Sequence, residues 1–283
     1  MKKAFYKLLA FILICFIYVC LSLSPIFFKD FSNEENTHKT KIIAHRGASS
    51  FAPENTLASI QAALNQNPDR IEIDVQQTSD KVVVLMHDTS LDRTTNGTGL
   101  IKEKTFKDLS KLDAGSWFSN EFKDERIPTL EAAIQLINGK CQLIIEIKKG
   151  SSYYPNIEKN ILNSIQKYNA EDWVIIHSFD DTVLETVHAL NPKIPLHKLF
   201  VGKFKFSPFI YSNSFDRLDL KKYNYIDEYS INYVFANREI IDILKSNGKK
   251  VNVWTVDNSE TARELTALGV DGIITNNPKL LDE

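Results

Sequence analysis

The chain has 283 residues, 43% hydrophobic and 25% charged, an ordinary globular composition with room for one large domain or two small ones. A formal net charge of −2 leaves no footprint for nucleic acid, and no protein partner is indicated. Cys15, Cys20 and Cys141 suggest neither a disulfide framework nor a thiolate metal site.

Residues 1–28 stand apart. Lys2, Lys3 and Lys7 precede an uncharged run from Leu8 to Phe28, about the length that crosses a hydrocarbon core. A cleavable signal usually has a shorter apolar run and a small-x-small cleavage site, for which Ser22 and Ser24 offer a weak version. The expectation is an uncleaved transmembrane anchor, with the lysines cytoplasmic and the rest of the chain outside the membrane. Cleavage would leave a secreted protein. Residues 29–40 carry mixed charge without an apolar period and read as a tether.

From Lys41 onward, strands alternate with helices. Ile42-Ile43-Ala44 is a short strand, followed by an amphipathic helix from about Thr56 to Asn65. Ile71-Glu72-Ile73-Asp74-Val75 is a strand whose two acids share one face, because side chains alternate with a period of two. Val82-Val83-Val84-Leu85 returns as a hairpin partner; a two-residue turn at Ser79-Asp80 would set Glu72 opposite His87. Thr89 to about Pro128 is an ordered insertion over a site, and a helix from Thr129 to Asn138 closes the unit. Strands are then expected at Gln142–Ile147, Val174–His177, Pro195–Phe200, Tyr225–Tyr229, Lys250–Trp254 and Gly272–Ile274. Helices follow around Tyr154–Tyr168 and at Asp181–Leu190, Arg238–Asn247 and Ser259–Leu268. About eight strand-plus-crossover units spell a TIM-type (β/α)8 barrel over 41–283, with an insertion after the second strand. An open doubly wound sheet is disfavoured, since no Gly-rich dinucleotide loop follows the first strand.

The unusual polar residues collect at strand ends, where such barrels keep their active sites. Glu72 and Asp74 would repel each other in an apolar setting, so a cation is expected beside them. An edge strand with a wet face is the alternative. Glu146 and Lys148 repeat the i, i+2 device, either as a third acid with a phosphate-binding cation or as a buried ion pair with each other. Three oxygen ligands without cysteine suit Ca²⁺ or Mg²⁺. His45 and His87 can act as general acid and base, and Arg46 suits a bidentate phosphate contact or a structural ion pair. His38, His177, His188 and His197 read as satisfied core or surface histidines.

His45-Arg46-Gly47, Pro53-Glu54-Asn55-Thr56, Glu72-x-Asp74 and His87-Asp88 are followed by Leu91-Asp92-Arg93-Thr94-Thr95-Asn96-Gly97-x-Gly99. Asp113-Ala114-Gly115-Ser116-Trp117, Glu146-x-Lys148 and Val253-Trp254-Thr255-Val256 complete the series. Together, in this order from about Lys41 to Pro278, they resemble the glycerophosphodiester phosphodiesterase family. The resemblance implies a metal-dependent barrel that hydrolyses glycerophosphodiesters to sn-glycerol 3-phosphate and an alcohol. It implies Glu72, Asp74 and Glu146 as ligands of one divalent cation, His45 and His87 as the catalytic pair, and Arg46 and Lys148 as phosphate contacts, with Trp254 in the substrate pocket.

Two positions depart from the family pattern: Asn276 stands where an Asp is frequent, and Asp257 where an Asn is frequent. Neither is a ligand or a histidine, so local hydrogen bonding or substrate preference is expected to change more than activity. Phospholipase D-type cleavage of lysophospholipids or sphingomyelin is a second reading, with aromatics in Phe204–Phe215 as a lipid-facing lip. A non-catalytic extracytoplasmic binding protein is a third, although every expected ligand and histidine is present.

Overall fold

The computed structural model describes residues 39–201 and 219–282. The expected anchor over 1–28, all but the last two residues of the tether, and the aromatic segment Phe204–Phe215 lie outside the described residues. Among those described, no helix is long and apolar enough to cross a membrane.

The strands are β1 (Lys41–His45), β2 (Arg70–Gln77), β3 (Val83–Leu85), β4 (Gln142–Ile147), β5 (Val174–Ser178), β6 (Leu196–Phe200), β7 (Glu228–Asn232), β8 (Lys250–Trp254) and β9 (Gly272–Thr275). All except β3 run parallel, each beside the next, and β9 pairs with β1. The eight parallel strands therefore close into a barrel, as expected. Helices α1 (Leu57–Leu64), α2 (Phe106–Leu109), α3 (Leu130–Ile137), α4 (Ile157–Lys167), α5 (Asp181–Leu190), α6 (Arg238–Ser246) and α7 (Ser259–Leu268) lie in the connections.

Local chemistry starts these helices. Side chains of Thr56, Thr129, Asp180, Asn237 and Asn258 accept a backbone N–H at the start of α1, α3, α5, α6 and α7. Each such cap is worth about 1 kcal/mol. The outward faces of the strands, including Ile71, Ile73, Val75, Leu143, Ile145 and Ile147, pack against the helices in one continuous apolar core.

The barrel interior is layered. Along β4 the inward residues run Gln142, Ile144, Glu146. Ile43, Ile144, Ile175 and Ile274 form an apolar layer on which Trp254 rests. At the amino-terminal end, Arg70 makes a bidentate pair with Glu228 at 2.6 and 2.9 Å; Arg70 also donates to Gln142, and Asn252 donates to Glu228. At the carboxyl end lie the acids of β2 and β4.

Three details differ from the sequence reading. The β2–β3 register pairs Val75 with Leu85, one residue away from the expected pairing. The reason is a three-residue turn, with Lys81 at φ +68° and Thr78 N–H bonded to Val82 O, so Glu72 does not face His87 across the hairpin. The sixth barrel strand covers Glu228–Asn232 and not Tyr225–Tyr229. Tyr223 and Ile226 are buried as a packed loop, while the strand carries a charged residue, Glu228, which is tolerated inside because Arg70 meets it. Third, the helix after β4 starts later than expected: α4 begins at Ile157, after a turn containing Pro155.

The insertion is ordered, as expected. Val84, Met86, Leu91, Ile101, Leu109, Ala114 and Ile127 give it a small core of its own beside the barrel mouth.

Candidate active site

His45 ends β1, and the chain turns at once. Arg46 has φ +56° and Gly47 φ +79°; a Cβ on Gly47 would lie 2.5 Å from the backbone of Ser59, so glycine alone lets α1 approach. The turn aims the Arg46 N–H at Oε2 of Glu72, 3.1 Å away. Asn55, also at φ +56°, donates to Asp74 Oδ2 at 2.9 Å and accepts from the Asp74 N–H at 3.0 Å. Positive φ at two non-glycine residues costs of order 1 kcal/mol each, and these contacts hold it in place.

Glu72, Asp74 and Glu146 are 2%, 0% and 5% exposed. Asp74 is committed to cations: Lys148 Nζ lies 2.9 Å from Oδ1 and Arg46 Nε 3.2 Å from Oδ2. Lys148 also reaches Glu146 at 2.8 Å, and Arg46 reaches Glu54 at 2.8 Å. Burial works against the charge on Asp74, but Lys148, Arg46 and the two histidines outweigh it and hold its pKa well below the ordinary value. Glu72 goes the other way, raised well above the ordinary value by burial and then by Asp74 and Glu146. Glu146 is pushed up to about 7, by burial and Asp74 against the pull of Lys148.

Among the described residues, Glu72, Glu146 and His177 each offer a ligand atom within 4.8 Å of the others. His177 sits beside Glu146 through the β4–β5 register and is 1% exposed. Neither ring nitrogen has a hydrogen-bond partner among the described residues, so it is not the satisfied core histidine expected. Burial, followed by His197, lowers its pKa well below the ordinary value and keeps the ring neutral. Two buried carboxylates and a neutral imidazole at this spacing fit a divalent cation.

Both expected catalytic histidines lie at the same mouth. His87 Nδ1 is 2.6 Å from Asp88 Oδ1, and Asp88 is held by Arg93, which grips Glu54, which in turn holds Arg46. A continuous chain of charge therefore runs from His87 to Asp74. His45 Nδ1 is 2.7 Å from Asn276 Oδ1. Trp254 packs edge-on to Phe179 at 5.6 Å and donates to Ser230 O, forming part of the floor.

A sequence profile of the Glycerophosphoryl diester phosphodiesterase family matches residues 45–280. The chain belongs to this family. It is an enzyme family, and the glycerophosphodiester phosphodiesterase of Caldanaerobacter subterraneus subsp. tengcongensis is 39% identical over 246 residues, 86% of this chain and 96% of that one. An Oleispira antarctica phosphodiesterase solved with the product sn-glycerol-3-phosphate superposes with a TM-score of 0.74 at 30% identity, covering 86% of this chain and 97% of the other. The Agrobacterium tumefaciens glycerophosphodiester phosphodiesterase gives 0.72 at 27% identity, covering 86% and 98%.

Sequence reasoning passes over the supporting cast. Asn55, Glu54, Asp88 and Arg93 lie inside the recognised motifs, and their charge beside the histidines was the available signal. His177 closes an apolar strand just as His45 does, a signal equally visible. Asn276 was noted only as a departure, yet it touches His45 directly. Of the other histidines, His197 lies 3.4 Å from Glu228 in the amino-terminal plug, and His188 stacks on Tyr225. His38 lies outside the described residues.

Proposed function

We propose that the protein hydrolyses glycerophosphodiesters to sn-glycerol 3-phosphate and an alcohol, using one divalent cation, Ca²⁺ or Mg²⁺, held by Glu72, Asp74 and Glu146, with His45 and His87 moving the protons. The observation that carries this reading is the pair of histidines, each tied back through Nδ1, at the mouth that also holds three buried carboxylates. A relative of the same fold carries the glycerol phosphate product, which supports the substrate class.

The roles follow from the partners. Asn276 Oδ1 can only accept, so Nδ1 of His45 carries the hydrogen and Nε2 keeps its lone pair. Burial and the charge of Arg46 lower the His45 pKa to about 4, so the ring is neutral and suited to take a proton from the nucleophile. His87 has a carboxylate, Asp88, on Nδ1, which favours the protonated ring; it is the group to protonate the leaving alcohol from Nε2. Burial, the largest effect, lowers the His87 pKa below the ordinary value against the pull of Asp74 and Asp88, so the protonated ring gives up its proton readily. Arg46 and Lys148, anchored by Asp74, offer positive charge to the phosphate oxygens. Held there by Glu72, Asp74 and Glu146, a cation would supply Lewis-acid polarisation of the phosphoryl group. Trp254 belongs to the substrate pocket in this reading. The nucleophile is water or the glycerol 2-hydroxyl, and the second route passes through a cyclic phosphate that phosphorus NMR would detect early in the reaction.

The same reading includes a single-pass anchor over residues 1–28, a tether over 29–40 and a barrel from 41 outside the membrane. Its support is the lysines at 2, 3 and 7 followed by the uncharged run to Phe28. Protease accessibility of the barrel in intact cells tests it.

The activity test is glycerol 3-phosphate release from glycerophosphocholine by the full-length chain, with EDTA and then Ca²⁺ or Mg²⁺ restored. Loss with EDTA and recovery with one ion is expected. No release under either ion, from protein with an intact unfolding transition, would overturn the reading; release from lysophosphatidylcholine instead would replace it with the lipid-cleaving activity.

A further inference from the structure

We propose that His177 is a direct nitrogen ligand of the active-site cation, making this a mixed carboxylate and imidazole centre that favours Mn²⁺ or a similar borderline ion over Ca²⁺. The inference rests on the metal-dependent reading above and adds a residue and an ion class to it.

Three observations carry it. A ring nitrogen of His177 lies within 4.8 Å of carboxylate oxygens on both Glu72 and Glu146, close enough for one ion with bonds of about 2.0 to 2.3 Å to be shared after small side-chain rotations. The β4–β5 register sets Glu146 and His177 side by side, so strand pairing and not a mobile loop brings them together. Both ring nitrogens are buried without a hydrogen bond among the described residues. Leaving a buried polar group unsatisfied costs about 1 to 3 kcal/mol, and an apolar side chain would fill this place at lower cost if only packing were needed. His197, the neighbouring ring at 6.0 Å centroid distance, meets it edge-on and does not bond to it.

The donor set then decides the ion. Ca²⁺ takes six to eight oxygen ligands, whereas imidazole shifts affinity toward the first-row transition ions. Asp74 stays among the oxygen donors, and its oxygens also meet Lys148, Arg46 and Asn55. His177 adds a nitrogen donor from β5, the strand beside that of Glu146.

The experiment is pulsed EPR on the full-length chain, stripped with EDTA and loaded with Mn²⁺, alongside competition between Mn²⁺ and Ca²⁺. The expected spectrum has ¹⁴N modulation from a bound imidazole, absent in His177→Gln, and Ca²⁺ displaces Mn²⁺ only at about tenfold or greater excess, a preference that His177→Gln reduces. Bound Mn²⁺ without ¹⁴N modulation, or modulation that survives His177→Gln, overturns the inference and leaves the metal-dependent phosphodiesterase standing. If His177→Gln does not fold, modulation retained in each of His45→Gln, His87→Gln and His197→Gln assigns it to His177, and its loss in any one of them overturns the assignment. Failure to bind Mn²⁺ or Ca²⁺, with glycerol 3-phosphate release indifferent to EDTA, would instead remove the reading beneath it.

Discussion

Asn276 places its amide oxygen 2.7 Å from Nδ1 of His45, while its amide nitrogen reaches a carboxylate oxygen of Asp257 at 2.5 Å. The carboxylate settles which end of the amide faces the ring, and the ring tautomer follows. His45 therefore leans on a neutral partner, one step removed from a charge.

Replacing that partner by a carboxylate gives the first prediction. In Asn276→Asp combined with Asp257→Asn, which keeps one amide and one carboxylate at this contact, an anion would meet the Nδ1 hydrogen and stabilise the charged ring, raising the His45 pKa from about 4 by about 1 to 3. A base must be neutral to work, so the acid limb of the pH profile of kcat/KM is expected to move upward by a similar amount. If the limb stays where it is in the parent enzyme, His45 is not the group whose deprotonation it reports.

Removing either ring should cost the proton transfer and little else. His45→Gln and His87→Gln are expected to lower kcat about 10²- to 10⁴-fold. His87 is half-buried, so its unfolding midpoint should stay close to that of the parent. Asp88→Asn keeps the ring but removes the carboxylate that favours its protonated form, and an intermediate loss is expected. Steady-state rates beside thermal unfolding would show equal activity in all variants if the roles are wrong.

The sequence carried those parts of the fold that local rules dictate. The strands at Gln142–Ile147 and Lys250–Trp254 and the helices at Asp181–Leu190 and Ser259–Leu268 have the expected bounds, because β-branched runs and capped amphipathic periods are short-range signals. Long-range partnerships were not legible. His45 and Asn276 are 231 positions apart, and only closure of β9 onto β1 brings them together. The strand at Glu228 was misplaced for a related reason: its carboxylate makes sense only once Arg70, 158 positions away, is known to face it. The convergence of Glu72 and Glu146 was readable from alternation; the arrival of His177 beside them needed the register.

The Arg70 and Glu228 pair predicts a stability effect separable from chemistry. They are 2% and 3% exposed at the amino-terminal end of the barrel, remote from the mouth. Glu228→Gln leaves the guanidinium buried without its counter-charge and should cost about 3 to 5 kcal/mol in denaturant unfolding. Arg70→Met with Glu228→Leu removes both charges and should cost less than the single change. Activity per folded molecule is expected to hold in each, and a fall in kcat without a fall in stability would contradict a structural role.

Protonation of the buried acids couples cation binding to pH. Glu146 is raised to about 7 from an ordinary 4.5, chiefly by burial, and Glu72 is raised as well, so without a cation the folded state holds protons on these acids more tightly than the unfolded chain does. A raised carboxyl pKa contributes stability that is complete below about pH 4.5 and disappears as pH rises through about 7. The stripped protein should accordingly lose this contribution across that window, by up to about 1.4 kcal/mol per pH unit for each proton released. A cation must displace the same protons, so its affinity should rise with pH through about 7, where Glu146 gives up its proton. The upward shift in unfolding temperature given by a fixed concentration of Mg²⁺ or Mn²⁺ is expected to grow over this range, and calorimetric binding heats should depend on the ionisation heat of the buffer. A shift independent of pH, with buffer-independent heats, would mean that neither Glu72 nor Glu146 gives up a proton to the ion.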